Sequence, residues 1–184
     1  VLPPDVNRSR AECRVEGSGI RFGLSALRGA GEDAVAKVIA ERNEHGPFKS
    51  FQDFLMRCTK YINKRVAECF ILSGACDCFG KHRSQYYAVY EDAMTRIAGM
   101  EKQKNSAQIS LFGSIIEEPE IDIVYPDIPE FDYNDKLARE KQVLGVYVSG
   151  HPFENYISAF KNCSFNCSLL SDTEEDEDGT VTYN

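Results

Sequence analysis

Long apolar runs are missing from this chain of 184 residues. None approaches the ~20 consecutive residues that a bilayer-crossing helix needs. Val1-Leu2-Pro3-Pro4 offers neither the basic nor the apolar region of a signal peptide. Cysteines paired at metal spacing are missing as well. The seven cysteines, at 13, 58, 69, 76, 78, 163 and 167, contain no C-x-x-C, which excludes a zinc ribbon and leaves reduced thiols in a cytoplasmic protein as the expectation. His45, His82 and His151 each stand apart from other ligand types and read as surface or capping residues. Two-metal catalysis needs carboxylates clustered on rigid elements. Asp122 and Asp127 instead lie in a proline-containing acidic stretch, and Asp172 to Asp178 lie in the tail. There is no G-x-x-x-x-G-K-[ST] loop and no G-x-S-x-G elbow. A catalytic site, a bound metal and a cofactor are therefore not expected in this chain.

What is present suits one or two domains with a core: 42% of the residues are hydrophobic and 27% charged. The chain begins without Met and ends on Gly179-Thr-Val-Thr-Tyr-Asn184, which reads like the start of a strand, so a piece of a longer protein is expected. The net charge of −8 is unevenly spread. Up to Phe112 there are 17 basic and 13 acidic residues, a net of +4, whereas from Gly113 onward there are 4 and 16, a net of −12. The front is mildly basic, and the acidity sits in loops and in the run Asp172–Asp178, read as a solvated linker or a functional acidic tail.

Periodicity points to a mainly α fold with a small N-terminal β-hairpin. Residues 11–16 and 20–24 alternate apolar and polar around Gly17-Ser18-Gly19. Ala34, Val35, Val38 and Ile39 mark one face of a helix from Glu32 to His45, ended by Gly46-Pro47. Ser50 and Asn63 can cap short helices, the second carrying Val66, Ala67, Phe70, Ile71 and Leu72 up to Gly74. A long amphipathic segment follows from about Arg83 to Lys102. Ser106 to Tyr133 reads as a loop, Asp135 to Leu144 as a helix, Gly145 to Val148 as a short strand or turn, and Pro152 opens a last helix through Phe160. The expected organisation is a β-hairpin and lead-in at 1–28, a helical domain at 29–103, a loop and acidic linker at 104–134, further helices at 135–162, and an acidic linker at 163–184.

The turn Gly29-Ala30-Gly31 has chemistry of its own. Two glycines permit positive φ and leave no side chain at the tip. The unpaired amides of the helix that starts next, and its dipole, favour an anion. Arg28 precedes the turn and Lys37 follows on the helix, while Glu32 and Asp33 oppose a phosphate there. An ordinary tight turn is the alternative. With Leu24 and Leu27 before it and Ala34, Val38 and Ile39 after it, the segment resembles the helix-hairpin-helix motif. That resemblance implies Gly29, Ala30 and Gly31 as phosphate contacts, supported by Arg28 and Lys37. A second glycine site at Ile71-Leu-Ser-Gly-Ala75 is either a degenerate hairpin or a packing turn.

Gln108-Ile-Ser-Leu-Phe112 places an apolar pair in a polar, turn-rich stretch with no core of its own. Burying two such side chains is worth roughly 1.5–3 kcal/mol each, so something should cover them. The pattern is similar to the peptide with which bacterial replication proteins dock on the sliding clamp.

Ordered segments extend the resemblance: Leu2-Pro-Pro-Asp-Val-Asn7, Ile20-Arg-Phe-Gly-Leu24, Gly46-Pro-Phe-Lys-Ser-Phe51, Asn63-Lys-Arg65, Gly74-Ala75, Ser110-Leu-Phe-Gly113, Glu140-Lys-Gln-Val-Leu-Gly145 and Ser149-Gly-His-Pro152. Up to about Tyr156 the chain resembles one region of the bacterial replicative polymerases of the polymerase III alpha family. The resemblance implies tandem helix-hairpin-helix units on duplex DNA and a clamp-binding peptide ahead of an OB-fold. Gln108 would bond the rim of the clamp pocket, Leu111 and Phe112 would fill it, and Ser110 would be a tolerant spacer. The partners implied are the duplex DNA backbone, the beta sliding clamp and, through the parent protein, other replicase subunits, with no membrane. Divalent metal ions such as Mg²⁺ would belong to the parent polymerase outside this chain. The cysteines at 69, 76 and 78 and the weakly basic hairpin depart from the family pattern. A helix-hairpin-helix module of a repair protein and a structural helical connector are the competing readings.

Overall fold

The computed structural model describes residues 1–107 and 122–157 and, as backbone, two further strands, Thr173–Glu175 and Val181–Tyr183. Val1–Ser149 forms one compact unit and Gly150–Asn184 a second.

The first unit is mainly helical with a small antiparallel hairpin. Strands β1 (Arg14–Glu16) and β2 (Gly19–Arg21) pair with Glu16 opposite Gly19, so a two-residue Gly17-Ser18 turn joins them. Gly17 takes the positive φ that such a turn needs at its first position. The ladder is shorter than alternation predicts. Ala11 to Cys13 lie over Gly23, so close that a Cβ there would stand 2.4 Å from the Ala11 carbonyl oxygen. Leu24–Ala26 turns as a 3₁₀ helix instead of continuing the strand.

Five helices follow: α1 (Glu32–His45), α2 (Phe51–Cys58), α3 (Lys64–Leu72), α4 (Arg83–Ala107) and α5 (Tyr133–Leu144). Local chemistry sets most of their ends. Gly31 and Gly46, both at positive φ, bracket α1. Ser50 and Asn63 cap α2 and α3, their side chains accepting from the Asp53 and Val66 amides; each such cap is worth about 1 kcal/mol. Asp132 caps α5, whose first residue, Tyr133, comes two ahead of the expected start. Helix α4 continues beyond Lys102 to Ala107, because no proline or glycine interrupts that stretch.

The core gathers α1–α4 with the lead-in. Phe51 stacks on Tyr86 with ring centroids 4.5 Å apart, and Phe54 meets Phe48 and Phe70 edge-on at 5.3 and 5.7 Å. Val6, Leu24 and Leu27 belong to the same cluster, so packing runs across the boundary drawn at residue 28. The lead-in is stitched down by polar bonds. Asn7 exchanges two hydrogen bonds with the Phe48 backbone, and buried Arg42 donates to the Val6 and Ser9 carbonyls at 2.9 and 2.8 Å.

Residues 122–132 carry no helix or strand, as expected of a loop, but they are anchored. Ile123 is buried and its amide donates to Gln52. Glu130 caps α4 across more than forty residues of sequence, its carboxylate accepting from the Arg83 and Ser84 amides at 3.3 and 3.1 Å. Burial opposes ionisation of Glu130, but Lys136 and the amides of Phe131, Ser84 and Arg83 outweigh it, and the pKa falls to about 2 from an ordinary 4.5. A depressed carboxyl stabilises the fold above its ordinary pKa and loses that contribution as pH falls from about 4.5 to about 2. Glu130→Gln should cost on the order of 2 kcal/mol at pH 7, after discounting for partial exposure. Thermal melts at pH 7 and pH 3 test this: the gap between wild type and variant should shrink in acid, and a constant gap refutes the assignment.

In the second unit Pro152–Tyr156 is a 3₁₀ turn, where periodicity predicts an α-helix. His151 caps it by accepting from the Phe153 amide, and Glu154 bonds back to the His151 amide. The rest of the helix expected through Phe160 lies outside the described residues. Strands β3 (Thr173–Glu175) and β4 (Val181–Tyr183) pair antiparallel, so part of the stretch read as an acidic linker is a hairpin. Asp178-Gly179, a dipeptide of turn chemistry, falls in the sequence between the strands, where the surrounding acidity masks it.

Candidate nucleic-acid interface

The turn at Gly29-Ala30-Gly31 is built from three sides. Leu27 and Ala30 are buried beneath it, and the Ala30 amide closes the turn on the Leu27 carbonyl at 3.2 Å. Gly29 and Gly31 sit at φ +93° and +71°, where an L side chain is strained, and both are exposed. At Gly31 a Cβ would meet open space, so the tip is free of protein. No side chain caps α1. The amides of Glu32, Asp33 and Ala34 have no acceptor among the described residues, as expected of a first turn. Exposed amides at a positive dipole end suit an anion.

The back of the turn rests on α5 and α3. The Arg28 amide donates to the Val143 carbonyl at 2.8 Å, and the Cys69 thiol donates to the Arg28 carbonyl at 3.2 Å. A cleft of ≈ 200 Å³ opens there, lined by Arg28, Gly29, Arg65, Glu68, Gln142 and Val143 among others. Arg28 and Arg65 are exposed and make no ion pair among the described residues. The Arg28 guanidinium lies over the end of α5, where Gly145 makes room: a Cβ there would come within 2.7 Å of Nη2. A cation at a helix C-terminus is favourable.

Of the residues singled out in the sequence, Arg28, Gly29, Ala30 and Gly31 thus come together, with the buried Ala30 side chain as the floor of the turn. Lys37 stands a turn further along α1 and is engaged with Asp33 at 2.7 Å, which reduces its free charge. Arg65 and Gly145 join them. Arg65 Nε lies 3.5 Å from where a Gly29 Cβ would be. No local signal in Asn63-Lys-Arg65 announces that placement. Gln108, Ser110, Leu111 and Phe112 lie outside the described residues.

The second glycine site is a packing turn. Gly74 is buried, and a Cβ there would stand 2.1 Å from Arg83 Nη2. Arg83 fills the space and bonds Asp77 through Nε at 3.0 and 3.1 Å and through Nη2 at 2.7 Å. A phosphate has no approach to these amides.

The buried cysteines have chemistry suited to packing. Desolvation holds the thiols of Cys58, Cys69 and Cys76 above their ordinary range, which disfavours the reactive thiolate. Among the described residues no helix is long and apolar enough to cross a membrane.

Comparison with known proteins agrees with this geometry. A family model described as a helix-hairpin-helix motif matches residues 1–86, a span containing both glycine turns. The DNA polymerase III subunit alpha of Borreliella burgdorferi is 34% identical over 186 residues, covering 100% of this chain and 16% of the relative. That of Vibrio cholerae is 34% identical over 185 residues, 98% of this chain and 16% of the relative. That of Thermus aquaticus is 40% identical over 157 residues, 85% of this chain and 12% of the relative. The chain thus spans about one sixth, or less, of the length of these relatives.

Proposed function

Along its whole length this chain is a relative of one segment of the DNA polymerase III alpha subunits, and from that premise we propose that it is a non-catalytic region that grips duplex DNA and docks a sliding clamp. Its service is to keep a cytoplasmic replicative polymerase on its template. Primer extension, with the divalent metal ions it requires, is assigned in this reading to parts of the parent protein outside this chain. So are contacts with other replicase subunits.

The observation that carries the DNA half is the open turn at Gly29–Gly31, whose first-turn amides and neighbouring guanidinium groups, Arg28 and Arg65, have no hydrogen-bond acceptor or ion pair, respectively, among the described residues. Main-chain amides bind a phosphate whatever base it carries, so the grip is indifferent to sequence. Glu32 and Asp33 in the same turn of helix temper the affinity. The clamp half rests on Gln108, Leu111 and Phe112, whose pattern is that of a docking peptide.

Binding to duplex DNA should be weak, independent of sequence and steeply reduced by salt. Gly29→Val with Gly31→Val should reduce it at least about ten-fold at low salt, because side chains block the approach and positive φ is disfavoured. Arg28→Gln with Arg65→Gln, which leaves the backbone alone, should lower the salt slope by about two. Fluorescence anisotropy on a labelled duplex reads both. Unchanged binding in both folded variants makes the turn purely structural.

A further inference from the structure

A second basic site lies on the β-hairpin. A hollow of ≈ 430 Å³ is lined by Arg8, Arg10, Arg14 and Arg21 with Glu16, Ser9, Val15 and Gly17. Its charges do not cancel. Glu16 is taken up by Arg8 and by Arg21, whose Nε lies 2.5 Å away. Arg10 and Arg14 are exposed, and neither makes an ion pair or a side-chain hydrogen bond among the described residues.

The register sharpens the point. Arg14 stands directly opposite Arg21 across the ladder. Like charges in directly opposed positions destabilise a hairpin; Glu16 forms its ion pairs with Arg21 and Arg8 and attracts Arg14 only at longer range. An incoming anion would therefore meet Arg10 and Arg14 exposed and without an ion pair among the described residues.

We propose that this hollow is a second phosphate-backbone contact, seating the sugar–phosphate chain of the nucleic acid held at the Gly29–Gly31 turn. The inference rests on the nucleic-acid reading of that turn. Continuity favours a long polyanion over an isolated one. The Leu24 and Ser25 amides donate to the Arg10 and Ala11 carbonyls, both at 2.9 Å, so the arginine-bearing stretch is bonded to the segment that becomes the turn a few residues on. A duplex presents one negative charge per ~1.7 Å of axis, a lattice that spaced contacts can share. The open guanidinium forks of Arg10 and Arg14 suit phosphate oxygens in two-pronged fashion.

The test compares the chain with Arg10→Gln/Arg14→Gln and with the glycine variant above. Binding is measured to a labelled duplex across a salt series, with inorganic phosphate and polyglutamate as alternative ligands. Each phosphate contact contributes about 0.9 to the slope of log affinity against log salt, so the arginine variant should lose about two units of slope. Its melting temperature should hold or rise, since an opposed like-charge pair is removed. An unchanged slope and affinity in the arginine variant overturns the inference while leaving the turn reading intact. Loss in the arginine variant with none in the glycine variant sinks the turn reading and, with it, the inference that the two sites share one strand. Polyglutamate binding that depends on Arg10 and Arg14 without duplex binding reassigns the hollow to an acidic protein. Phosphate saturation lost in the variant at unchanged duplex affinity reassigns it to a small anion. Absence of duplex binding by the wild type overturns both readings.

Discussion

Replacing Leu111 and Phe112 together by alanine should lower affinity for the sliding clamp about a thousand-fold and leave the melting temperature where it was. The size follows from the way short docking peptides work: a few anchors in apolar pockets supply most of the affinity, each worth ~2 kcal/mol or more, and about 4 kcal/mol together is a factor near a thousand. Gln108→Ala should fall between, since it removes a rim hydrogen bond worth about 1 kcal/mol. Ser110→Ala should change little, because a spacer side chain fills no pocket. The polar flanks Lys102–Ser106 and Glu117–Glu120 give the pair no periodic apolar partners in sequence, so a partner protein is the natural cover. Surface plasmon resonance on immobilised clamp measures the affinities, and a thermal melt serves as the control. A double variant that melts many degrees lower, or binds like the wild type, removes the docking assignment.

Arg83→Ala should be the most damaging single change to the fold, costing about 3–5 kcal/mol, as breaking a buried ion pair from one side does. Arg83 is 3% exposed and reaches four residues: Asp77, Leu72 through its carbonyl at 3.2 Å, Ser149 at 3.3 Å and Glu140 at 3.5 Å. Burial disfavours its charge, but Asp77, Glu140 and Glu130 more than compensate and raise its pKa. Without the guanidinium, Glu140 is left fully buried with, among the described residues, the Val148 and Ser149 amides and the Ser149 hydroxyl. For a unit of this size each kcal/mol moves the melting temperature by roughly 2–4 °C, so a drop on the order of 10 °C is expected. If the stranded carboxylate is the main penalty, Arg83→Met/Glu140→Gln should melt higher than Arg83→Met alone. The reverse order would locate the cost in packing. Because α5 carries both Glu140 and the Val143 carbonyl that receives the Arg28 amide, the same lesion should also loosen the Gly29–Gly31 turn.

The elements were legible where their signals are local. Gly31 and Gly46 give both ends of α1, and Ser50 and Asn63 cap their own helices, because a cap acts within three residues. What stayed hidden is non-local. Glu130 caps α4 from the far side of a long insertion, so nothing next to Arg83 in sequence announces the cap. Arg65 joins the Gly29 turn only because α3 packs behind it, and Gly145 is small because Arg28 covers it. The site was therefore half visible: the turn and Arg28 by motif, their neighbours only by packing. Lys37 shows a local signal of another kind. An acid four residues earlier on a helix is a sequence-level partner, and Asp33 takes that part.

The anchoring of residues 122–130 has a mechanical corollary. Residues 108–121 are joined at one end to α4, which runs to Ala107, and at the other to a stretch fixed by Ile123 in the core and Glu130 on the start of that same helix. Both ends of that interval meet fixed points of the first unit. Fully extended it measures roughly 50 Å, so out and back it reaches no further than roughly 25 Å. A clamp held by Leu111 and Phe112 would ride on a short two-point leash. Its distance from the Gly29–Gly31 turn would be set by chain length, and inserting residues there should lengthen the leash while leaving both proposed contacts as they are.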